Sequence, residues 1–166
     1  MITTWKTEKA WSDVLIPETR EILGRYLVAV PPDIEDQQHN TDLIVMVSGK
    51  NRIACRTRRN KYLAEYSKEF TIRARTKTGQ RTEINKVLED GWGDLLFYGF
   101  ADEPGLKLVQ WFIGDLDVFR SAIRDFQTKN PGFMPGWFKQ NDDGTGLWAF
   151  PLRLMPPEFV LDSSWE

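Results

Sequence analysis

Hydrophobic positions along the chain alternate between helical spacing and strand spacing. Apolar stripes at helical spacing predict helices over residues 16–27, 83–88 and 115–126. Continuous or alternating apolar runs predict strands over residues 42–47, 52–59, 70–77, 94–101, 107–113 and 147–154. Asp115 is expected to cap its helix, and Pro151 places the last strand at a sheet edge because proline lacks a backbone donor.

This order of elements predicts one domain of class α/β or α+β, with a single mixed central β-sheet flanked by helices. Residues 1–13 are expected to form an irregular N-terminal arm or a short helix. Residues 127–146 are rich in Gly, Pro, Asn and Asp and favour irregular structure, and the acidic tail of residues 155–166 is expected to be mobile.

The lengths of the apolar runs also indicate where in the cell the protein is located. None of them approaches the roughly 20 residues that a bilayer-spanning helix needs, and the N-terminus has no apolar signal-peptide core. Cys55 is the single cysteine and alternates with Ile53, which predicts a buried small apolar residue. With His39 as the single histidine, a Cys/His zinc site is excluded. We therefore expect a cytoplasmic protein that has no contact with membranes.

Charge is distributed unevenly along the chain. Residues 50–81 hold eleven Lys and Arg against two Glu and carry +9, whereas residues 1–49 carry −4 and residues 82–166 carry −7. A concentrated positive field attracts phosphate backbones. The candidate nucleic-acid-binding residues on the predicted strands 52–59 and 70–77 and beside them are Arg52, Arg56, Arg58, Arg59, Arg73, Arg75 and Arg81. The alternative is that acids from the two flanks neutralise these arginines within the fold.

The order of elements, with Asp42 opening a strand and a basic strand following, resembles the PD-(D/E)XK nuclease-like fold over roughly residues 17–126. The chain looks most like the small members of that group carried by phages and mobile elements. In that family a strand-initial Asp and a (D/E)-x-K on the next strand hold a divalent metal. This chain has Ala-Cys-Arg-Thr-Arg at residues 54–58 instead, so the second motif is missing.

The resemblance implies a candidate Mg²⁺ site, because clustered carboxylates supply the oxygen ligands that this ion takes. Asp42 matches the first family position. Glu83, on the helix after the strands, would be the second metal ligand, and Glu21 a third. Lys86, on the same helix face as Glu83, or Arg56 would orient the attacking water or stabilise the developing charge on phosphorus. The ordinary reading of Asp42 is a strand-start residue, and that of Glu83 is a favourable acid in a first helical turn.

These features predict a DNA- or RNA-binding protein that resembles a degenerate nuclease and holds the phosphate backbone on its basic strands. Whether it cleaves is open; cleavage would make it a Mg²⁺-dependent phosphodiester hydrolase. The alternative is a catalytically inactive phage or mobile-element protein that binds a host protein complex. The aromatic residues between 133 and 148 could stack on unpaired bases or anchor a protein partner, but rings of this kind more often pack a loop onto the core.

Overall fold

The computed structural model describes residues 5–24, 27–29, 43–46, 50–103 and 106–165. The helices are α1 (Trp5–Asp13), α2 (Ile16–Leu23), α3 (Leu63–Tyr66), α4 (Glu83–Leu88) and α5 (Leu116–Lys129). The strands are β1 (Leu27–Ala29), β2 (Leu43–Met46), β3 (Lys50–Arg59), β4 (Glu69–Arg75), β5 (Leu95–Ala101), β6 (Leu108–Asp115), β7 (Trp137–Gln140), β8 (Gly146–Pro151) and β9 (Val160–Ser163). Short 3₁₀ turns cover Asn60–Tyr62, Leu152–Leu154 and Pro157–Phe159.

The chain folds as a mixed α/β protein, but its strands form two sheets where one was predicted. The six-stranded sheet has the order β1-β2-β3-β5-β6-β9, in which β3 and β5 are parallel and the other neighbours are antiparallel. The three-stranded sheet has the antiparallel order β4-β8-β7. A parallel pair needs a long crossover, and β4 and α4 lie within the crossover from β3 to β5. Within this crossover β4 pairs with β8 of the other sheet, while the neighbours of β3 are β2 and β5.

The main core lies between the two sheets and α5. One face of the six-stranded sheet, here called the core face, carries Ala54, Tyr98 and Phe112 into this cluster. Phe70 of β4 is fully buried, and its ring centroid lies 5.3 Å from that of Phe150 on β8 and 5.5 Å from that of Phe119 on α5. Stacked and edge-to-face aromatic contacts at these distances join the three layers.

The opposite face of the six-stranded sheet is covered by α2. Leu23 of this helix packs with Ile53 of β3 and Phe97 of β5, and the half-buried Cys55 joins the same cluster. The predicted alternation of β3 is therefore confirmed at these positions: Ile53 and Cys55 face α2, while Ala54 faces the main core.

The predicted helices differ from the observed ones mainly at their ends. The α2 helix stops at Leu23, where Gly24 adopts a φ of 63°, and Leu27 begins β1, so the predicted helix end at residue 27 was wrong. The α4 helix has the predicted bounds, and Asn85 Oδ1 accepts from the Thr82 backbone N at 3.2 Å. The predicted cap of α5 is confirmed, because Asp115 accepts from the backbone N of Asp117 and Val118. Residues 5–13 are helical, as one of the two N-terminal alternatives proposed. Within the described ranges, no helix combines the length and the apolar composition that crossing a bilayer requires.

The C-terminal third is more regular than its composition indicated. Strand β7 lies inside the segment predicted to be irregular, and β8 is the central strand of its sheet. The edge placement was wrong because Pro151 is the last residue of β8. Gly136 precedes β7 with a φ of 93°, and a Cβ there would collide with the Ala149 carbonyl, so glycine allows β7 to approach β8. The expected mobile tail instead contributes β9 and the fully buried Phe159.

Candidate nucleic-acid interface

Arg56 and Glu83 form an ion pair at the junction of the two sheets. Arg56 pairs with Tyr98 in the parallel β3–β5 register, so its side chain lies on the core face. Its Nη1 donates to Glu83 Oε2 at 2.8 Å, and both side chains are mostly buried, with exposures of 23% and 17%. The same carboxylate oxygen accepts the backbone N–H of Arg73 at 3.1 Å, which satisfies a donor on the outer edge of β4.

This pairing bears directly on the predicted Mg²⁺ site. The Glu83 carboxylate is neutralised by a guanidinium and carries two hydrogen bonds, so a divalent ion would have to displace Arg56. Lys86 Nζ lies 5.4 Å from the centre of the Trp92 ring. Glu21 is exposed on α2, which covers the sheet face opposite to the one that carries Arg56. The described residues therefore do not fit a magnesium ion held by Glu83 and Glu21.

The remaining predicted ligand, Asp42, lies outside the described residues, as does His39. Within the ranges that are described, no group of three His, Cys, Asp or Glu side chains converges as a metal site would require. The catalytic role assigned to Asp42, Glu83 and Lys86 therefore stays a prediction from the resemblance.

Several of the predicted phosphate-binding arginines have acidic partners within the fold. Arg59 pairs with Glu103 at 3.2 Å, and its guanidinium lies 4.7 Å from the centre of the Trp11 ring. Arg81 pairs with Glu89 and Asp90 at 2.9 and 2.8 Å. The backbone N of Arg52 donates to Asp94, and its side chain is half-buried at the start of β3. Acids from the C-terminal flank thus neutralise part of the basic segment.

A β-bulge separates Arg73 from Arg75, although alternation predicted that they share a face. Arg73 pairs with Leu147 and Arg75 pairs with Gly146, its immediate neighbour, because the register shifts between them. The extra residue inverts the alternation, so Arg75 lies on the Phe138 side of the sheet and Arg73 on the other. Arg73 and Arg75 therefore do not share one face of β4.

Arg73 instead lies in line with a lysine that the sequence did not single out. Leu147, in the central strand, pairs with Arg73 on one side and with Lys139 on the other, so the three side chains project from the same face. Arg73 and Lys139 are both exposed, and so is Trp137, two residues before Lys139 on the same face. Lys139 Nζ lies 5.3 Å from the centre of the Tyr66 ring.

Arg58 reaches this face from the six-stranded sheet. Its Nη1 lies 3.5 Å from Thr71 Oγ1, and Thr71 lies on the same side of β4 as Arg73. Its guanidinium stacks over two tyrosine rings, 4.9 Å from the centre of Tyr62 and 5.8 Å from that of Tyr66. We define the basic–aromatic face by these side chains: Arg58, Tyr62, Tyr66, Arg73, Trp137 and Lys139.

One buried acid lies at the edge of the basic–aromatic face. Glu69 precedes Thr71 by two residues on β4, and only 7% of its surface is exposed. Burial raises the pKa of the Glu69 carboxyl, while the positive charges of Arg58 and Lys139 act in the opposite direction. The face therefore joins exposed cations to a carboxyl group that is protonated more readily than a surface glutamate.

Charge counting could not reveal Lys139, because it lies in the acidic C-terminal segment. The signal that could have revealed it is the turn at residues 141–144 between Phe138 and Trp148, which joins β7 and β8 in a hairpin. Comparisons with protein-family models, with curated proteins and with solved structures find no match to this chain. The resemblance to PD-(D/E)XK nucleases stays a prediction.

Proposed function

We propose that the protein binds single-stranded nucleic acid on the basic–aromatic face. The observation that carries the proposal is the placement of Arg73 and Lys139 on either side of Leu147, with Trp137 and Tyr66 next to Lys139. Neighbouring strands lie about 4.8 Å apart, so the two cations leave the sheet about 10 Å apart. A flexible phosphate backbone can meet both of them at once.

The mixture of side chains favours single strands over duplexes. Unpaired bases expose their rings for stacking on aromatic side chains, whereas bases in a duplex are stacked on each other. Trp137 is 46% exposed and stands beside the two cations. A ring and cations on one flat sheet face can therefore hold a base and its phosphates together.

Arg58 is a third cation of the proposed interface. It is half-buried between tyrosine rings, and its contacts to Thr71 Oγ1 and Tyr98 OH are long, at 3.5 Å each. Packing against the tyrosine rings fixes the half-buried guanidinium, and its charge acts both on the Glu69 carboxyl and on a phosphate that binds the face. About three cations would therefore engage the backbone, and for single strands the log–log dependence of affinity on salt would have a slope of about −2.

We further propose that the six-stranded sheet is a diverged nuclease-like sheet that serves binding and not cleavage. The element order on which the resemblance rests runs from α2 to α5. The ion pair of Glu83 with Arg56 supports a structural role for this acid. Binding is therefore expected not to require Mg²⁺, and the strand should stay intact.

Fluorescence anisotropy with single-stranded and duplex oligonucleotides of equal length tests the proposal. We expect tighter binding of the single strand, and Trp137→Ala should weaken it about tenfold because one base loses its stacking partner. Phe133→Ala is the matched control, since Phe133 is 68% exposed and lies outside the basic–aromatic face. Equal losses in both variants, or no binding of any strand, would overturn the proposal and favour a protein partner.

A further inference from the structure

A cleft of about 680 Å³ opens beside the basic–aromatic face and shares Trp137 with it. Its walls come from the segment between α3 and β4, from β6, and from the turn that follows β8. The volume falls within the range of about 300–1,000 Å³ that is typical of small-molecule sites. The lining includes Lys68, Glu69, Gln110, Trp137, Arg153 and Trp165.

Glu69 contributes a carboxylate to the lining of this cleft. Among the described residues, no side chain or backbone N–H donates a hydrogen bond to it, although the residue is only 7% exposed. Its oxygens are not sealed from solvent, so water or a ligand in the cleft can donate hydrogen bonds to them. Gln110 lines the cleft, and its Nε2 donates to the Ser67 carbonyl oxygen at 3.3 Å. The side-chain oxygen of Gln110 is therefore a further acceptor in the cleft.

The other lining groups suit a flat aromatic ligand that carries a phosphate. Trp137 offers an exposed ring, and the Trp165 ring is held in place at 5.5 Å from that of Phe112. Lys68 and Arg153 are exposed cations of the same cleft and outnumber its one further acid, the exposed Glu65. Acceptors, rings and cations together fit a nucleotide, which presents base donors, a stacking surface and an anionic group.

We propose that this cleft binds a guanine base, with Glu69 accepting the hydrogen bonds of its Watson–Crick edge. Guanine presents two adjacent donors there, N1–H and the N2 amino group, and a carboxylate accepts both side by side. Adenine and cytosine place an acceptor next to their single donor group, and uracil and thymine flank their donor with two carbonyls that repel a carboxylate. The inference rests on the proposed function when the guanine belongs to a bound strand. A free guanine nucleotide carries the same chemistry.

Oligothymidylates with one central substitution test this assignment. We expect a strand with one guanine to bind about tenfold more tightly than strands with adenine or cytosine at that position, which is the discrimination typical of one bidentate contact. A strand with hypoxanthine keeps N1–H but lacks the amino group, so it should lose part of this gain. Equal affinity of all these strands would overturn the guanine assignment while leaving the proposed function intact.

The variant Glu69→Gln should remove the guanine preference, while unsubstituted oligothymidylate should still bind, at least as tightly as to the wild type, because a negative charge beside Arg58 and Lys139 is lost. Glu158→Gln is the matched control, because Glu158 is an exposed acid outside the cleft and loses the same charge. A guanine preference that survives in Glu69→Gln would also overturn the assignment. Thermal unfolding of both variants checks that each is folded.

Calorimetry with free GMP and AMP separates the two sources of the base. If GMP binds and Glu69→Gln abolishes this binding, the guanine assignment of the cleft is supported even when no oligonucleotide binds. In that case only the proposed binding of single-stranded nucleic acid would be overturned. Trp137→Leu offers a second variant, which should weaken GMP and guanine-containing strands alike. Equal binding of GMP and AMP by the wild-type protein would overturn the guanine assignment.

Discussion

Arg56 donates to Glu83 at 2.8 Å and thereby joins the core face of the six-stranded sheet to the first turn of α4. Both side chains are mostly buried, so each charge depends on the other for compensation. The resemblance to nucleases assigns Glu83 and Arg56 to catalysis. The ion pair between them indicates a structural role for both residues.

Replacing Glu83 with Gln should therefore destabilise the fold. Arg56 would keep its buried position without a negative partner, and we expect a loss of about 1–3 kcal/mol in the free energy of unfolding. Denaturant titration measures it. Glu89→Gln, in the exposed pair with Arg81, is the control and should change stability by less than about 0.5 kcal/mol. Comparable effects of the two changes would contradict a structural role for Glu83.

Arg120 is a second buried arginine, 6% exposed on α5. Its Nη1 donates to the carbonyls of Gly93 and Trp92 at 3.0 and 3.3 Å, and its Nη2 pairs with Asp117 at 2.6 Å. Arg120→Met would leave these carbonyls without a donor, and we expect a loss of about 2–4 kcal/mol in unfolding free energy. Arg124→Met, exposed on the same helix, should be nearly neutral. A neutral Arg120→Met would show that the carbonyls find other donors.

Salt dependence distinguishes the cations of the basic–aromatic face from the rest of the basic segment. Arg73→Ala and Lys139→Ala should each weaken single-strand binding and reduce the magnitude of the salt slope by about 0.7, because each removes one phosphate contact. Arg81→Ala should leave the slope unchanged, since Arg81 already pairs with Glu89 and Asp90. A larger effect of Arg81→Ala would place the interface elsewhere.

Stability should depend on pH through Glu69, whose pKa is raised from the model-compound value of 4.5. Burial is the main cause and the Glu65 charge adds to it, while Arg58 and Lys139 oppose it. A raised pKa means that the folded state holds this proton more tightly than the unfolded chain does. The stabilising contribution of Glu69 to the free energy of unfolding is therefore fully present below about pH 4.5. It is lost as the pH rises through the pKa of Glu69 in the folded state.

Glu69→Gln should remove the loss of stability that accompanies ionisation of Glu69. The ligand-free variant should therefore be more stable than the wild type at neutral pH. Denaturant unfolding from pH 4 to pH 8, with Glu158→Gln as control, measures the difference. Parallel stability curves for Glu69→Gln and wild type would contradict the effect of burial. A variant that gains stability while losing guanine recognition would show that Glu69 is retained for binding.

Local sequence signals predicted the helices whose first residues are marked by a capping side chain. The α4 bounds follow from Thr82 and a short apolar stripe, and the start of α5 follows from the Asp115 cap. The alternation of β3 correctly separated Cys55 from Arg56. These features depend on residues close together in the chain, so a single sequence is enough to find them.

The arrangement of the sheets depends on pairings between distant residues and escaped prediction. Nothing near Phe70 indicates that its strand pairs with β8, and the acidic composition of the tail hides β9. Arg56 meets its partner 27 residues away, and Lys139 joins Arg73 across a third strand. The candidate site is therefore built from contacts that charge counting along the chain cannot detect.

The most direct test is the salt dependence of single-strand binding by the wild-type protein. Anisotropy titrations with a labelled oligonucleotide would be run at several salt concentrations, each in Mg²⁺ and in EDTA, followed by a denaturing gel. We predict a log–log slope of about −2 in EDTA, and an intact strand in both conditions. A slope near zero, or no binding at low salt, would contradict the account, and Mg²⁺-dependent cutting would contradict the structural role of Glu83.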